Sequence, residues 1–524
     1  CGFCTPGFVI HADALLDKNP EPTREEIVKA INATLCRCTG YEKIIDSIVY
    51  AADSIREEKD VREPSGDGRV GTRHPRYLAN RAVLGHRPFI DDMRLEGMLH
   101  GALRWSDHPR AKILSINTEP AERVPGVVRV FTADDIPGKR HTGLIVQDWP
   151  LMLKPGEETR YLGDVLAGLV AETESIARAA AALIEVDYEV LDPVTDPQES
   201  LKTDVLIHQS GNQLSETIIQ RGDTEKAERD SAFVSRGVYK TQRIEQAFME
   251  PECSIAGPWK DGIQFFSQGQ GIYEDQAQIA ELLGLTLEQT EGVFVPNGGA
   301  FGGKEDLSVQ GHAALFAYLL QEPVKVLLTR EESINMHPKR HPLDMDYALG
   351  CDEKGRLTFL RARMIGDTGA YASVGMKVLE RSAGHATGAY AVPNVDIESR
   401  SVYTNNVPCG AMRGFGVNQV TFALESCVDD LCEQGGFDRW QFRYDNALTE
   451  GRTTSTGQVL EGGVGVRKAL EAVEEHFRNA KYAGLACGIK NTGLGNGMPD
   501  KGNVKLVIES SDKVVIHHGL SLIH

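Results

Sequence analysis

Four cysteines fall within the first 38 residues in the spacing C-x2-C-x31-C-x-C: Cys1 and Cys4, then Cys36 and Cys38. Thiolates in closely spaced pairs are metal donors, and a set of four suits either zinc or an iron–sulfur cluster. A second stretch with chemical content is 296–306, PNGGAFGGKED, in which four glycines flank Ala300 and Phe301 and a Lys-Glu-Asp triplet follows. Glycine admits positive φ and close approach of a ligand to the main chain, and successive N–H groups in such a loop cradle an anion. The spacing is neither G-x-G-x-x-G nor G-x-x-x-x-G-K-[ST], so the dinucleotide and P-loop readings fall away, and a plain tight turn is the competing reading. More glycine turns bearing polar or aromatic residues follow at 266–273 (FSQGQGIY), 366–372 (GDTGAYA), 387–390 (TGAY) and 409–416 (CGAMRGFG), with LERS at 379–382 among them.

These residues need elements to hold them. In the first sixty residues, Thr5-Pro6 predicts a capped helix start with Phe8, Ala12 and Leu15 on one face. Thr23-Arg-Glu-Glu26 predicts a capping box ahead of Ile27, Ala30, Ile31 and Leu35, and Thr39-Gly-Tyr-Glu42 predicts another ahead of Ile44, Ile45, Ile48 and Ala52. Both cysteine pairs then sit at helix ends of a small all-helical module, residues 1–58. The charged, Gly/Pro-containing stretch 59–80 predicts a linker. Residues 81–192 predict an α/β domain, with strands at 98–103, 127–131, 165–170 and 184–190 and an alanine-rich helix at 174–184. His86, His100 and His108 in it read as structural. After a second linker at 193–221, residues 222–519 predict a mixed α+β region. There the 296–306 loop is expected between a strand at 293–295 and an apolar helix at 307–320, and 266–273 leads into a helix at 275–283.

A length of 524 residues allows three or four domains. An apolar fraction of 41% and a mean hydropathy of −0.27 describe a chain able to build sizeable cores. The net charge of −19 weighs against nucleic acid or an anionic membrane as partner. No run approaches the about 18 apolar residues of a membrane span. Clustered cysteines without a secretory leader point to thiolate ligands in a reducing compartment, so a cytoplasmic location is expected. The chain begins inside a motif at Cys1 and ends in LSLIH, which matches a translated transposon mosaic-end adapter. It reads as a fragment truncated at both ends, with 520–524 a sequencing scar.

CGFC…CRCTGY and the ordered glycine motifs after it resemble the molybdenum hydroxylases, the xanthine dehydrogenase and aldehyde oxidoreductase family. In detail they are most similar to the bacterial selenium-dependent xanthine dehydrogenases, which also lack an internal flavin domain. The resemblance covers all but the last five residues. It implies an all-α [2Fe–2S] domain incomplete at its N-terminus, an α/β hammerhead domain, and the N-terminal half of a mixed α+β molybdopterin-binding domain. Cys1, Cys4, Cys36 and Cys38 are the implied cluster ligands, with Cys38 also beside the pterin. Gln268 is implied to hydrogen-bond an oxygen on molybdenum, and Gly299, Phe301 and Gly302 to offer backbone contacts near metal and pterin. Arg413 is implied to contact the pterin and Phe415 to stack on a flat substrate. The competing readings make Phe415 a core residue and pair Arg413 with an acid such as Glu425. The implied cofactors are a [2Fe–2S] cluster and molybdenum–molybdopterin, with the cytosine dinucleotide form and labile selenium left open, and FAD on a separate subunit. A second [2Fe–2S] module, upstream or on another chain, is the other implied partner.

The implied reaction is hydroxylation of an electron-poor carbon with oxygen from water, electrons leaving through the clusters to the flavin partner. The family's general base, a glutamate, is expected beyond this chain, which is therefore expected to be inactive alone and to bind no stable molybdenum cofactor. Glu305, directly after GGK, and Arg381, within LERS, match the acid and the arginine that purine hydroxylases place around a bound purine. A xanthine- or hypoxanthine-like substrate is expected. The alternatives are an aldehyde oxidoreductase of the same family and an electron-transfer iron–sulfur protein. A purely structural role for Glu305 and Arg381, paired with each other or with Lys304 and Glu380, also competes.

Overall fold

The computed structural model describes residues 1–61, 69, 72, 79–490 and 504–518. Most of the expected linker at 59–80, and everything from Gly519 onward, including the expected scar, lie outside the described residues.

Three helices, α1 (Thr5–Leu16), α2 (Arg24–Ile31) and α3 (Glu42–Arg56), close over Phe8, Ile27, Ile31, Cys36, Ile45 and Ile48. The capping box at Thr23 forms with both of its bonds, Thr23 to the Glu26 N–H and Glu26 back to the Thr23 N–H. The other two helix starts differ from expectation. Cys4, not Thr5, caps α1 through its carbonyl, which accepts from Phe8 N at 3.3 Å, because a turn from Gly2 already draws Thr5 into the helix. α3 starts from Tyr41 at φ +70° with no side-chain cap. The Thr39 hydroxyl is taken elsewhere: it donates to Cys36 Sγ at 3.3 Å and accepts from Tyr41 N at 3.1 Å.

Next come β1 (Leu99–Trp105), β2 (Ala111–Asn117), β3 (Val127–Phe131), β4 (Val165–Ala171), α4 (Glu174–Ala181) and β5 (Glu185–Val190). The chain continues through β6 (Gln213–Arg221), β7 (Phe233–Lys240), β8 (Cys253–Trp259), β9 (Gly262–Ser267), α5 (Ile272–Leu283), β10 (Thr290–Phe294), α6 (Val309–Leu320) and β11 (Val324–Leu327). It then adds β12 (Leu343–Cys351), β13 (Leu357–Gly369), α7 (Gly375–Gly384), β14 (Asn394–Tyr403), α8 (Val417–Gly435), α9 (Arg439–Asn446) and α10 (Val466–Asn479).

A seven-stranded sheet runs β10-β9-β8-β11-β1-β4-β3 and crosses the expected 193–221 division. Its seam is the parallel pairing of β1 with β11, Leu99 opposite Val324 and Gly101 opposite Val326. β4, VLAGLVA, is buried along its whole length, as an interior strand covered on both faces requires. α6 is apolar nearly all round and buried from Val309 to Ala317. It sends Phe316 into the sheet to stack on Phe131 at 4.7 Å. Gly168 makes the room, since a Cβ there would stand 2.3 Å from the Phe316 ring. A second sheet, β6-β14-β13-β12-β7, is covered by α7 and α8 around Tyr347, Leu360, Val420, Leu424 and Leu431. The glycine loop occupies the gap between the end of β10 and the start of α6. No helix among the described residues is long and apolar enough to cross a membrane.

Candidate active site and cluster site

Two glycine segments cross and hold each other in shape. In the first, Gly299 (φ +97°), Phe301 (φ +58°) and Gly302 (φ +99°) are all left-handed. A phenylalanine there is strained, and its neighbours over-determine it. Phe301 O accepts from Arg413 N at 2.9 Å, and Gly302 N donates to Gln270 Oε1 at 2.9 Å. A Cβ on Gly302 would lie 2.6 Å from Ala411 O, so glycine is what lets the segments approach. The second segment repeats the device with Gly414, Phe415 (φ +50°) and Gly416.

The crossing rests on α7. A Cβ on Gly416 would meet Val378 O at 2.4 Å and Ser382 Oγ at 2.6 Å. Just ahead of α7, Ser373 donates its hydroxyl to Asp306 Oδ2 at 2.6 Å, while Arg381 stands in the last turn. From Gly375 to Arg381 the helix rises about 9 Å. The Asp306 end of the loop therefore meets the chain just ahead of α7, and the turn at Gly416 meets the stretch of α7 that carries Arg381. Arg381 borders a cavity of about 600 Å³ whose walls include His385, Thr387, Leu448, Thr454 and Lys490. Burial, and then the Arg381 charge, lower the Lys490 pKa.

Glu305 is half-buried and has no hydrogen-bond or ion-pair partner among the described residues. Burial, then the negative charges of Asp306 and Glu274, raise its pKa to about 7. Burial likewise brings Asp306 to about 6, and its Oδ1 has no partner. Lys304 and Glu425 are engaged elsewhere than with Glu305 and Arg413. Lys304 turns inward to Glu250 O at 2.8 Å and to Gln268 Oε1, and Glu380 pairs with Lys377 at 2.8 Å. Glu425 pairs with the buried Arg443 at 2.7 Å and accepts from Tyr390, leaving Arg413 exposed at the surface of the crossing. Phe415 is half-buried at the edge of the second sheet's core.

Gln268 is buried with its whole amide in use: Oε1 accepts from Lys304, and Nε2 donates to Pro251 O at 3.0 Å and Cys253 O at 3.3 Å. Placing it on a cofactor oxygen requires exchanging one of those bonds. For a molybdopterin the fit lies in the backbone cradle of the crossing and in polar atoms orphaned beside it. Gln246 Oε1 and Arg340 Nε are buried without partners among the described residues, while Arg340 Nη2 donates to Arg413 O at 2.7 Å.

The four thiols approach as two pairs. Cys38 Sγ lies 3.6 Å from Cys1 Sγ, and Cys4 is hydrogen-bonded to Cys36. Burial, the bond to Cys36 and its charge push the Cys4 thiol up to about 12. Burial alone would also raise Cys36, but the Thr39 hydroxyl and the Cys38 N–H hold it below the usual value. No three His, Cys, Asp or Glu side chains converge on one point among the described residues. Zinc asks for four donors about one centre, whereas a [2Fe–2S] cluster asks for two thiolates on each of two irons, and the pairs fit the latter.

Residue spacing pointed to the cysteines, both glycine segments and the loop acids. It missed the contacts that join the regions, Phe3 on Gly298 and Arg37 on Gln246, whose only signal is that each lies between two cysteines.

Comparison with known proteins follows the same order along the chain. Residues 1–49 match the [2Fe-2S] binding domain, 84–192 the aldehyde oxidase and xanthine dehydrogenase a/b hammerhead domain, and 207–447 the molybdopterin cofactor-binding domain. The chain is 35% identical over 449 residues to a probable xanthine dehydrogenase polypeptide of Bacillus subtilis (strain 168), covering 83% of this chain and 60% of that protein. It is 35% identical over 395 residues to the nicotinate dehydrogenase large molybdopterin subunit of Eubacterium barkeri, covering 75% of this chain and 92% of that protein. Among solved structures, aldehyde oxidoreductase from Desulfovibrio gigas superposes with a TM-score of 0.87 at 30% identity, covering 91% of this chain and 55% of that one.

Proposed function

The chain belongs to the molybdenum hydroxylase family of xanthine dehydrogenases and aldehyde oxidoreductases, and on that premise we propose that it forms the cluster-bearing part, and part of the cofactor site, of an enzyme hydroxylating a purine-like ring. The observation that supports this reading most is Glu305, a half-buried carboxyl with no ion pair among the described residues, whose pKa of about 7 leaves about half of it protonated at neutrality. A neutral carboxyl can donate a hydrogen bond to a ring nitrogen. Across α7, Arg381 offers a permanent cation to an exocyclic oxygen that gains negative charge as the ring carbon is attacked. Phe415, held between two left-handed glycines, offers a flat face. An aldehyde has no second polar edge, so a buried acid and arginine set around it would cost desolvation for little gain.

When bound, the molybdenum cofactor supplies the oxygen-transfer and two-electron chemistry. Cys1, Cys4, Cys36 and Cys38 would hold the [2Fe–2S] cluster, and Gly299, Phe301, Gly302, Arg413 and Cys38 would contact the pterin. Gln268 would be free to hydrogen-bond the cofactor only on exchanging its bond to Lys304 or to a carbonyl partner. The general base, an FAD-bearing subunit and a second [2Fe–2S] module complete the proposed enzyme. A cytoplasmic location, the cytosine dinucleotide form and labile selenium belong to the same proposal. A second reading, an N-heteroaromatic carboxylate, is favoured by the cavity that brings Arg381, His385 and Lys490 together.

The test is Arg381→Met in the complete enzyme carrying this chain, with kcat/KM measured for xanthine, nicotinate and an aromatic aldehyde. Losing a charged hydrogen bond made in the transition state costs on the order of 2–4 kcal/mol, or about 30- to 1000-fold, on the preferred heterocycle. A parent enzyme that prefers the aldehyde, or a variant equally impaired on all three, refutes the purine-like assignment. A preference for nicotinate selects the second reading.

A further inference from the structure

The contacts that seat the helical module on the glycine loop come from residues inside the cysteine motifs. Phe3, between Cys1 and Cys4, stands edge-on to Phe89 with ring centroids 4.9 Å apart. Its ring covers Gly298, the first glycine of the loop, where an added Cβ would come within 2.8 Å of it. Arg37, between Cys36 and Cys38, donates from Nε to Gln246 O at 3.0 Å. Gln246 is tied into the crossing of the two glycine segments, donating from Nε2 to Pro338 O and Ala411 O at 3.0 Å each. Its side chain also borders Gly303, where a Cβ would lie 3.0 Å away. One wedge and one donor therefore touch the two flanks of the loop, and each sits on a cysteine bracket of two residues or fewer.

We propose that Phe3 and Arg37 are positioning residues that seat the cluster against the glycine loop, and that this seating is made by the cluster itself. A cluster that takes one cysteine of each bracket on each of its two irons fixes both ends of a segment that has no regular structure of its own, and so sets the direction of the side chain between them. Without iron the brackets lose the constraint that a shared centre places on both of their ends. Phe3 then loses its fixed approach to Gly298, and Arg37 its aim at the Gln246 carbonyl. Preorganisation of this kind strengthens an interface by removing the ordering cost from the docking step. The consequence is an order of assembly in which the cluster is inserted first and the loop is ordered afterwards.

The test uses this chain with its cluster reconstituted anaerobically from iron and sulfide, iron content and visible absorption being recorded. Amide hydrogen exchange is then compared before and after iron is removed with a chelator. Removal is expected to speed exchange at 246–248 and 298–303 at least tenfold while β12 and β13 stay protected. Phe3→Ala and Arg37→Met are expected to keep their iron and absorption yet exchange at the loop as the iron-free chain does. Arg37→Lys, which keeps a donor, should recover part of the protection. If Phe3→Ala takes up no iron, Arg37→Met, which leaves the apolar packing alone, carries the variant arm. Unchanged loop protection in the iron-free chain, or iron-loaded Arg37→Met exchanging like the parent, overturns the proposal.

Discussion

The cluster module closes over six buried side chains, one of them the Cys36 thiol, whereas the cofactor half buries whole strands and helices in two sheet-based cores. A core of the first size is marginal without a metal or another staple. A core of the second size tolerates expensive features. It holds Arg443 fully buried, and among the described residues it leaves one carboxyl oxygen each of Asp148, Asp275 and Asp306 without a partner. Stability in one region is thus expected to rest on the proposed cluster, and in the other on burial strong enough to carry strained backbone and uncompensated acids.

The sharpest way to break that contrast is to remove a proposed cluster ligand. Cys36→Ser is expected to abolish cluster absorption and bound iron and to melt the helical module in a separate, early calorimetric transition, with the transition of the cofactor half unmoved. A single shared transition would show that the two regions do not differ as described. Second in size is Arg443→Met, which leaves Glu425 buried without its partner. It should destabilise the cofactor half by about 3–5 kcal/mol in urea titration, and adding Glu425→Leu should recover most of the loss.

A smaller effect is expected from pH. The folded pKa of Glu305, about 7, exceeds its unfolded value of 4.5, so the folded state binds this proton more tightly. Its contribution is full below pH 4.5 and is lost as pH rises towards about 7. Asp275, raised to about 7, and Asp148, Asp164 and Asp306, each raised to about 6, act in the same direction. Glu305→Gln should therefore flatten the fall of the denaturation midpoint over that range, and an unchanged or steeper slope would count against the raised pKa. The smallest effect belongs to the module: Thr23→Ala removes the α2 cap and should cost about 1 kcal/mol there, leaving the second transition where it was.

Local chemistry was readable from residue spacing. The Thr23 box, the apolar α6, the all-buried β4 and the strand–loop–helix setting of 296–306 each depend on a handful of neighbours in sequence, and they formed where expected. The helix starts at Thr5 and Thr39 departed for a local reason as well: the first was drawn into the helix by a turn, and the second spent its hydroxyl on a cysteine sulfur. The site was half legible. Glycine pattern placed Phe301 and Phe415, but nothing in the spacing said that Glu305 would lack a partner, that Lys304 would occupy Gln268, or that Arg443 would claim Glu425. Composition and pattern placed a division at 193–221, and only the tertiary structure shows that one sheet runs across it through β1 and β11. Propensity and capping are settled within one or two turns of chain, so sequence determines them. Which polar group meets which, as with Arg37 and a carbonyl 209 residues away, is decided only when the chain closes and every buried donor competes for the same few acceptors.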